Sequence, residues 1–527
     1  MLNRSRAELL LLVVATAVTR YAFRSHFLYD LDSLGFALGV EHFDPRVYQP
    51  HPPGYFLYVC LGKLFHALTP DVNLALVLLS IVASCGAAAL IYRMAQEWFG
   101  THAARFAGLI FLFSPLAWFH GIVALTYIVE AFFSALVGYM CWKIESGERR
   151  IALPAGIVLG ISAGVRPSSL ILLGPLFLFS LRQAGWKRAV AAISGLLVVL
   201  LAWFLPMIFA SRGFGAYFGA LFSLWRMVPS RDTVFNSNPA TSIARALTIA
   251  FILVLCFGSA LLVLLWRGRT RLPAEPQKRR FTLLWVAPAL CFFTFIFLKF
   301  VNSGYLLLLM APLSIWLGAW AAGWYGQSAW PRPWKLAIVG VGAAANCALF
   351  LASPLYCSYR QVRRHELEID SVRAALPGIA SPADTLIVGF DSHFLGYRDA
   401  GYYLPGYLSL EYPAVKLIEG TRIFAMEHGQ TRLLTELPAG SYSRFVLFPL
   451  PTGERANQIY LSKVKALLPG KDLRSISLGG HDFITAPLTD LPLLYPTVAS
   501  GVSNVRQSSK LPVNSRVHQP FTTSARR

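Results

Sequence analysis

Asp30 and Asp32 stand one residue apart at the start of YDLDSLGFALGVEHFDPRVYQPHPPGYF, residues 29–56. Carboxylates this close can hold a divalent cation through oxygen, or one can take the proton from an attacking hydroxyl or amine. One of them can also cap the helix read in LGFALGVEHF, because Asp accepts from the free N–H groups of a first turn. Capping accounts for one acid. It does not account for two beside an apolar run, where unpaired charge is costly. His51 stands before two prolines, which restrict their own backbone and that of the preceding residue. The corner QPHPPGYF therefore turns the chain and can direct His51 toward the acids or leave it at the interface.

Further candidates lie in otherwise apolar sequence. Arg166, in SAGVRPSSLILLGP, offers a guanidinium suited to phosphate, or else snorkels from a helix end. Glu130, in ALTYIVEAFF, is an acid inside an apolar run, and so belongs to a site or pairs with an arginine. Arg212, Arg226 and Arg231 flank the aromatic residues Phe214, Tyr217, Phe218, Phe222 and Trp225 within residues 211–242. That stretch is expected to form an interfacial helix bordering a lipid groove, its arginines contacting an anionic headgroup. Lys299, before VNSGY, is either a phosphate ligand or a snorkelling side chain. Tyr55, Tyr305 and Glu130 complete the candidate substrate pocket.

The elements that must position these residues follow from composition. Of 527 residues, 55% are hydrophobic and 14% charged, and the mean hydropathy is +0.53. This is the balance of a multi-pass membrane protein, because so little charge cannot cover a water-facing surface of this size. Apolar runs centre near residues 16, 82, 112, 135, 158, 175, 200, 253, 291, 313 and 344. The first is expected to be retained, since no small-x-small cleavage site follows it. Residues 52–68 carry Lys63 and His66 and are assigned to the interface.

With that assignment the basic clusters fall on one side: Arg93 with Arg105, then Lys143, Arg149 and Arg150, then Arg182, Lys187 and Arg188, then RGRTRLPAEPQKRR at 267–280. Positive charge marks the cytoplasmic face. About eleven spans are predicted, with the N-terminus inside, and the segments 25–71, 211–242 and 298–306 on the outer face. The net charge of +21 then reports orientation and attraction to anionic lipid, and no nucleic-acid partner is expected.

Residues 1–353 form the membrane domain on this reading, with 25–71 as its catalytic outer loop. Residues 354–498 form a small extracytoplasmic α/β or α+β domain. Its amphipathic helix is read in YRQVRRHELEIDSVRAALPG, and its strands in TLIVGF, RFVLFPL and SISLGGHDFIT. Residues 499–527 read as a disordered tail. The seven cysteines form no Cys-x-x-Cys, and Cys347 and Cys357 could pair only if the backbone brings them together. Walker A, Rossmann and His-Glu-x-x-His patterns are absent, as is a serine-hydrolase elbow.

The pair DLDSLGFA followed by QPHPPGYFLYVCLGKLF resembles the first outer loop of the GT-C superfamily of membrane glycosyltransferases. The likeness is to the branch (glycosyltransferase family 39-like) of protein O-mannosyltransferases, the aminoarabinose lipid A transferase and RgtA-like bacterial enzymes. SPLAWFHGIVALTYIVEAFFS, GISAGVRPSSLILLGPL and KFVNSGYLLLLMAPL follow in the expected order. The resemblance covers roughly residues 1–325.

It implies a GT-C fold in a bacterial plasma membrane, and inverting transfer from a polyprenyl-phosphate sugar to a lipid, glycan or protein acceptor. Asp32 would be the base and Asp30 the neighbouring acid or metal ligand. His51, Arg166 and Lys299 would approach donor phosphate. The branch often has adjacent Asp-Glu where this chain has Asp-Leu-Asp, which leaves the choice of base open. A divalent metal at Asp30 and Asp32 is left open by the resemblance. A transporter of lipid-linked intermediates is the alternative, in which Glu130 and Arg166 would matter more than the loop acids.

Overall fold

The computed structural model describes residues 2–227, 239–269, 276–297, 303–355, 357–391, 395–417, 420–438, 442–449, 462, 464, 466–468, 473–478 and 481–499. Arg231, Lys299 and nearly all of the predicted tail lie outside them. Each of the eleven apolar centres falls in a helix. Six helices among the described residues are long and apolar enough to cross a membrane: Val72–Phe99, Tyr127–Glu145, Trp186–Ala210, Ala240–Leu265, Ser303–Gln327 and Arg332–Ala352. The Phe56–His66 segment is a short apolar helix of 11 residues. The fold is a mostly helical membrane bundle with a small C-terminal sheet.

Small residues let the helices approach. A Cβ on Gly156 would meet the Ala192 carbonyl oxygen at 2.1 Å, so the Ala152–Val165 and Trp186–Ala210 helices touch backbone to backbone. One continuous apolar core runs through the bundle and takes in Leu28 and Tyr29 of the first loop.

After the last span, the Tyr359–Ile379 helix starts at Ser358, whose hydroxyl accepts from the Gln361 N–H. It buries Val362, His365, Glu366, Ile369, Val372 and Leu376, one face at helical spacing. The sheet follows: β1 (Thr385–Gly389), β2 (Ser409–Glu411), β3 (Val415–Leu417), β4 (Gly420–Glu427), β5 (Gln430–Leu434), β6 (Arg444–Leu447), β7 (Arg474–Leu478) and β8 (His481–Pro487). Their order is β3-β4-β2-β1-β6-β8-β7, with β5 also on β4.

β1 runs parallel to β2 and β6, and every other pairing is antiparallel. A parallel β1–β2 pair needs a crossover, and the Tyr397–Tyr403 helix lies within it. All five β1 residues are buried, as expected of a strand covered on both faces. The three predicted strand runs are β1, β6 and the β7–β8 hairpin. The strands between 409 and 434 were not predicted. They include two three-residue strands and a hairpin on His428 and Gly429, both at positive φ, a weaker signal than Asn-Gly.

The Tyr397–Tyr403 helix packs on the Leu31–Glu41 helix of the first loop. Leu38 meets Tyr397, Phe424 and Met426, with Val47 and Tyr48 alongside. The loop is therefore held between the membrane helices and the sheet domain. The seven cysteines are all free.

Candidate functional site

Asp30 is the N-cap of the Leu31–Glu41 helix. Its backbone is extended, its carboxylate accepts the Asp32 N–H at 2.8 Å, and it is 4% exposed. Asp32 lies in the first turn, where the helix dipole favours a negative charge. Capping by Asp30 leaves the Asp32 carboxylate for other work. The other two acids of residues 29–56 are structural or peripheral. Asp44 caps a short turn and pairs with Arg46, while Glu41 ends the helix.

The proline corner folds back onto the loop helix because two glycines, one turn apart, leave room for it. A Cβ on Gly39 would lie 2.9 Å from Pro50 Cδ, and one on Gly35 3.1 Å from the Tyr48 carbonyl. The corner ends at Gly54 (φ 101) and Tyr55 (φ 45). Its Pro53 carbonyl accepts the Tyr217 hydroxyl at 3.1 Å. The result is that His51 Nδ1 sits 3.3 Å from Asp32 Oδ1, with both side chains about a quarter exposed. Nε2 of His51 is 3.2 Å from the Tyr55 hydroxyl.

Tyr55 leads to a buried ionic group. The Arg166 guanidinium lies 6.0 Å from the Tyr55 ring centre, 4.3 Å from Tyr127 and 4.8 Å from Tyr305. It pairs with Glu130 at 3.0 Å, the side chains 5% and 2% exposed, and donates to Thr126 Oγ1 at 2.8 Å. The Glu130 carboxylate also accepts the Ser168 and Ser169 hydroxyls, each at 3.1 Å. A buried pair survives when its remaining hydrogen-bonding capacity is met, and these hydroxyls supply acceptor-side partners. Arg166 belongs at this point because the Ala152–Val165 helix ends on it in extended backbone before Pro167.

The structure thus links Asp30, Asp32, His51, Tyr55, Tyr305, Arg166 and Glu130 into one group. Arg212 is exposed in a left-handed turn after the Trp186–Ala210 helix, and Arg226 is exposed with its guanidinium 4.5 Å over Phe222. Neither takes part in the chain of contacts just described.

His120 also belongs to the site, although its place in the sequence assigns it no role. It is 2% exposed, packs edge-on against Tyr127 at 5.0 Å, and has neither ring nitrogen hydrogen-bonded among the described residues. Burial drives its pKa down to about 3, with Asp30 pulling it up and Arg166 pushing it further down. A histidine at the end of the apolar phrase SPLAWFHG was the available signal. Among the described residues no three His, Cys, Asp or Glu side chains gather closely enough to hold a metal ion. Asp30 is committed to its cap and Asp32 faces His51, so this donor set does not fit a resident metal.

Residues 46–189 match the family model described as the protein O-mannosyl-transferase TMEM260 N-terminal domain. ArnT from Cupriavidus metallidurans bound to undecaprenyl phosphate superposes with a TM-score of 0.57 at 13% identity, over 91% of this chain and 97% of that one. The apo state of the same protein gives 0.57 at 13%, over 92% and 98%. The Archaeoglobus fulgidus oligosaccharyltransferase tethered with an acceptor peptide gives 0.42 at 13%, over 77% of this chain and 64% of that one. No curated protein sequence matches the chain. The likeness to ArnT covers both membrane bundle and C-terminal domain, and establishes the GT-C fold.

Proposed function

We propose that this GT-C-fold protein is an inverting glycosyltransferase that moves a sugar from a polyprenyl phosphate to a hydroxyl or amine acceptor at the outer face of a bacterial plasma membrane. The observation that carries the reading is the contact of Asp32 with His51, joined through Tyr55 to a buried Arg–Glu–Tyr cluster. The match to an O-mannosyl-transferase domain and to an ArnT crystallised with undecaprenyl phosphate supports it. So does the basic bias of the loops on the opposite side, which favours an N-terminus inside and a sheet domain outside.

In this mechanism Asp32 accepts the acceptor's proton as its oxygen or nitrogen attacks the anomeric carbon. The C1–O bond to phosphate breaks, and polyprenyl phosphate leaves with its electron pair. A single displacement inverts the anomeric centre. His51 fixes the Asp32 carboxylate from one side and, when protonated, places positive charge where the donor phosphate arrives. Arg166, neutralised by Glu130, braces Tyr55, Tyr127 and Tyr305. Reacting groups held in line by rigid elements gain most of the available acceleration.

The test supplies labelled polyprenyl-phosphate sugars and a panel of acceptors to purified protein in liposomes. Transfer by the wild type and its loss in Asp32→Asn support the proposal. Lipid translocation without transfer replaces it with the transporter alternative.

A further inference from the structure

We propose that the C-terminal domain is a clamp that positions the catalytic loop, with Tyr403 and Thr431 as positioning residues for the Asp32–His51 contact. The inference rests on the glycosyltransferase reading for its kinetic consequence but not for its geometry.

The domain's ties converge on the two segments that carry the reacting groups. On the first segment, the Leu28 N–H donates to the Tyr403 hydroxyl at 2.7 Å, and the Leu28 carbonyl accepts from His365 Nε2 at 3.1 Å. The His26 N–H donates to Glu366 at 2.7 Å. Leu28 is therefore held at both its peptide groups by the domain, two residues before Asp30. On the second segment, Arg398 donates to the Tyr48 carbonyl at 3.3 Å, and the Gln49 side-chain amide donates to Thr431 Oγ1 at 2.9 Å. These lie immediately before the Pro50–His51 corner.

Asp32 and His51 meet at 3.3 Å, yet they sit on separate stretches of chain. Each stretch is tied to the same C-terminal domain, which adds a common support to the packing of the corner on Gly35 and Gly39. The membrane part also bonds the loop backbone, at Ser25 (N–H to the Ile122 carbonyl at 2.9 Å, carbonyl from Asn73 at 3.0 Å) and at Pro53 (from Tyr217 at 3.1 Å), and otherwise touches the loop through apolar packing, which is non-directional. The ties from the C-terminal domain add directional control close to Asp30 and just before His51. A catalytic pair must be held to within about half an ångström, and a misplacement of about 1 Å costs on the order of a hundredfold in rate.

The experiment removes the oxygen of one tie on each segment without changing shape, in the full-length protein: Tyr403→Phe, Thr431→Val, and both together. Hydrogen exchange is followed at the amides of residues 26–32 and 48–55, and transfer kinetics are measured on the same samples. The expected result for the double variant is faster exchange in both segments. Its kcat falls roughly tenfold or more, with the donor KM unchanged. Thr431→Ser, which keeps the hydroxyl, behaves as wild type.

Arg444→Gln is the control. It breaks the Arg444–Asp384 pair at 3.1 Å on the sheet without touching the loop, and leaves loop exchange and kcat as they were. Unchanged loop exchange in the double variant overturns the clamp, as does an equal kcat loss in Arg444→Gln. If Tyr403→Phe fails to fold, Thr431→Val alone carries the same readouts. If the wild type transfers no sugar, the functional reading fails, and the exchange measurement still decides the clamp.

Discussion

Asp32→Asn separates a catalytic carboxylate from a structural one by the ratio of two losses. The side chain is about a quarter exposed, and its partner is the His51 imidazole at 3.3 Å. A partly exposed pair of this kind contributes at most about 1 kcal/mol to stability. Asn keeps the size, and Asp30 rather than Asp32 caps the helix, so the fold loses little. The catalytic loss is larger, because removing a positioned general base costs about 10²- to 10⁴-fold, or roughly 3–5 kcal/mol of transition-state stabilisation.

The assay is initial-rate transfer from a labelled polyprenyl-phosphate sugar in proteoliposomes, beside thermal unfolding of the same preparation. The expected pattern is a melting temperature close to wild type with kcat down by at least a hundredfold and donor KM nearly unchanged. His51→Gln should cost less alone. Combined with Asp32→Asn it should add almost nothing, since residues acting as a unit are not additive. Retention of more than a tenth of wild-type kcat in Asp32→Asn refutes the base assignment. If Asp30→Asn proves the inactive variant while Asp32→Asn works, the roles of the two acids are exchanged.

Three further outcomes follow from the geometry. Glu130→Ala leaves the Arg166 guanidinium charged and buried, and should lower stability by about 3–5 kcal/mol; Glu130→Leu with Arg166→Met should recover most of that in a thermal melt while abolishing transfer. Gly54→Ala places a Cβ at φ 101 and 2.9 Å from Met207 Sδ, an overpacking worth about 1–3 kcal/mol that displaces the corner and lowers transfer, as rate and melting curves will show. Asp399 is buried, and desolvation raises its pKa to about 7 against the opposing Gly396 N–H bond. The folded state therefore keeps a proton that the unfolded chain has released, and stability falls as pH rises from about 4 to about 7. Asp399→Asn lacks this dependence, so its stability relative to wild type should grow by up to about 4 kcal/mol across that window, as denaturant titrations at several pH values would record.

Much of this protein is legible along the chain, because the relevant physics is local. Apolar run length marks the bilayer helices, and every run centre is helical. Asp before an apolar helix marks a cap, and the doubled acid marks a residue with something further to do. The prolines around His51 mark a rigid corner. Local pattern could not say which aspartate caps, because that depends on the extended backbone of Asp30 and on the direction of one carboxylate. Nor could it separate Arg166, buried on Glu130 across 36 positions of sequence, from Arg226, exposed on its own helix. Both are arginines in or beside apolar sequence.

The anchoring of the loop was the least visible feature. Gln49 reaches Thr431 across 382 positions and Leu28 reaches Tyr403 across 375. Such contacts have no signature in spacing or composition. They exist because the last span delivers a sheet domain onto the first loop, and their bonds form only once both are folded. Composition, run length and turn residues determined that this is a membrane protein with an acid-bearing first loop. Only the tertiary structure decided which acid is committed to the helix, which faces His51, and what holds the two in register.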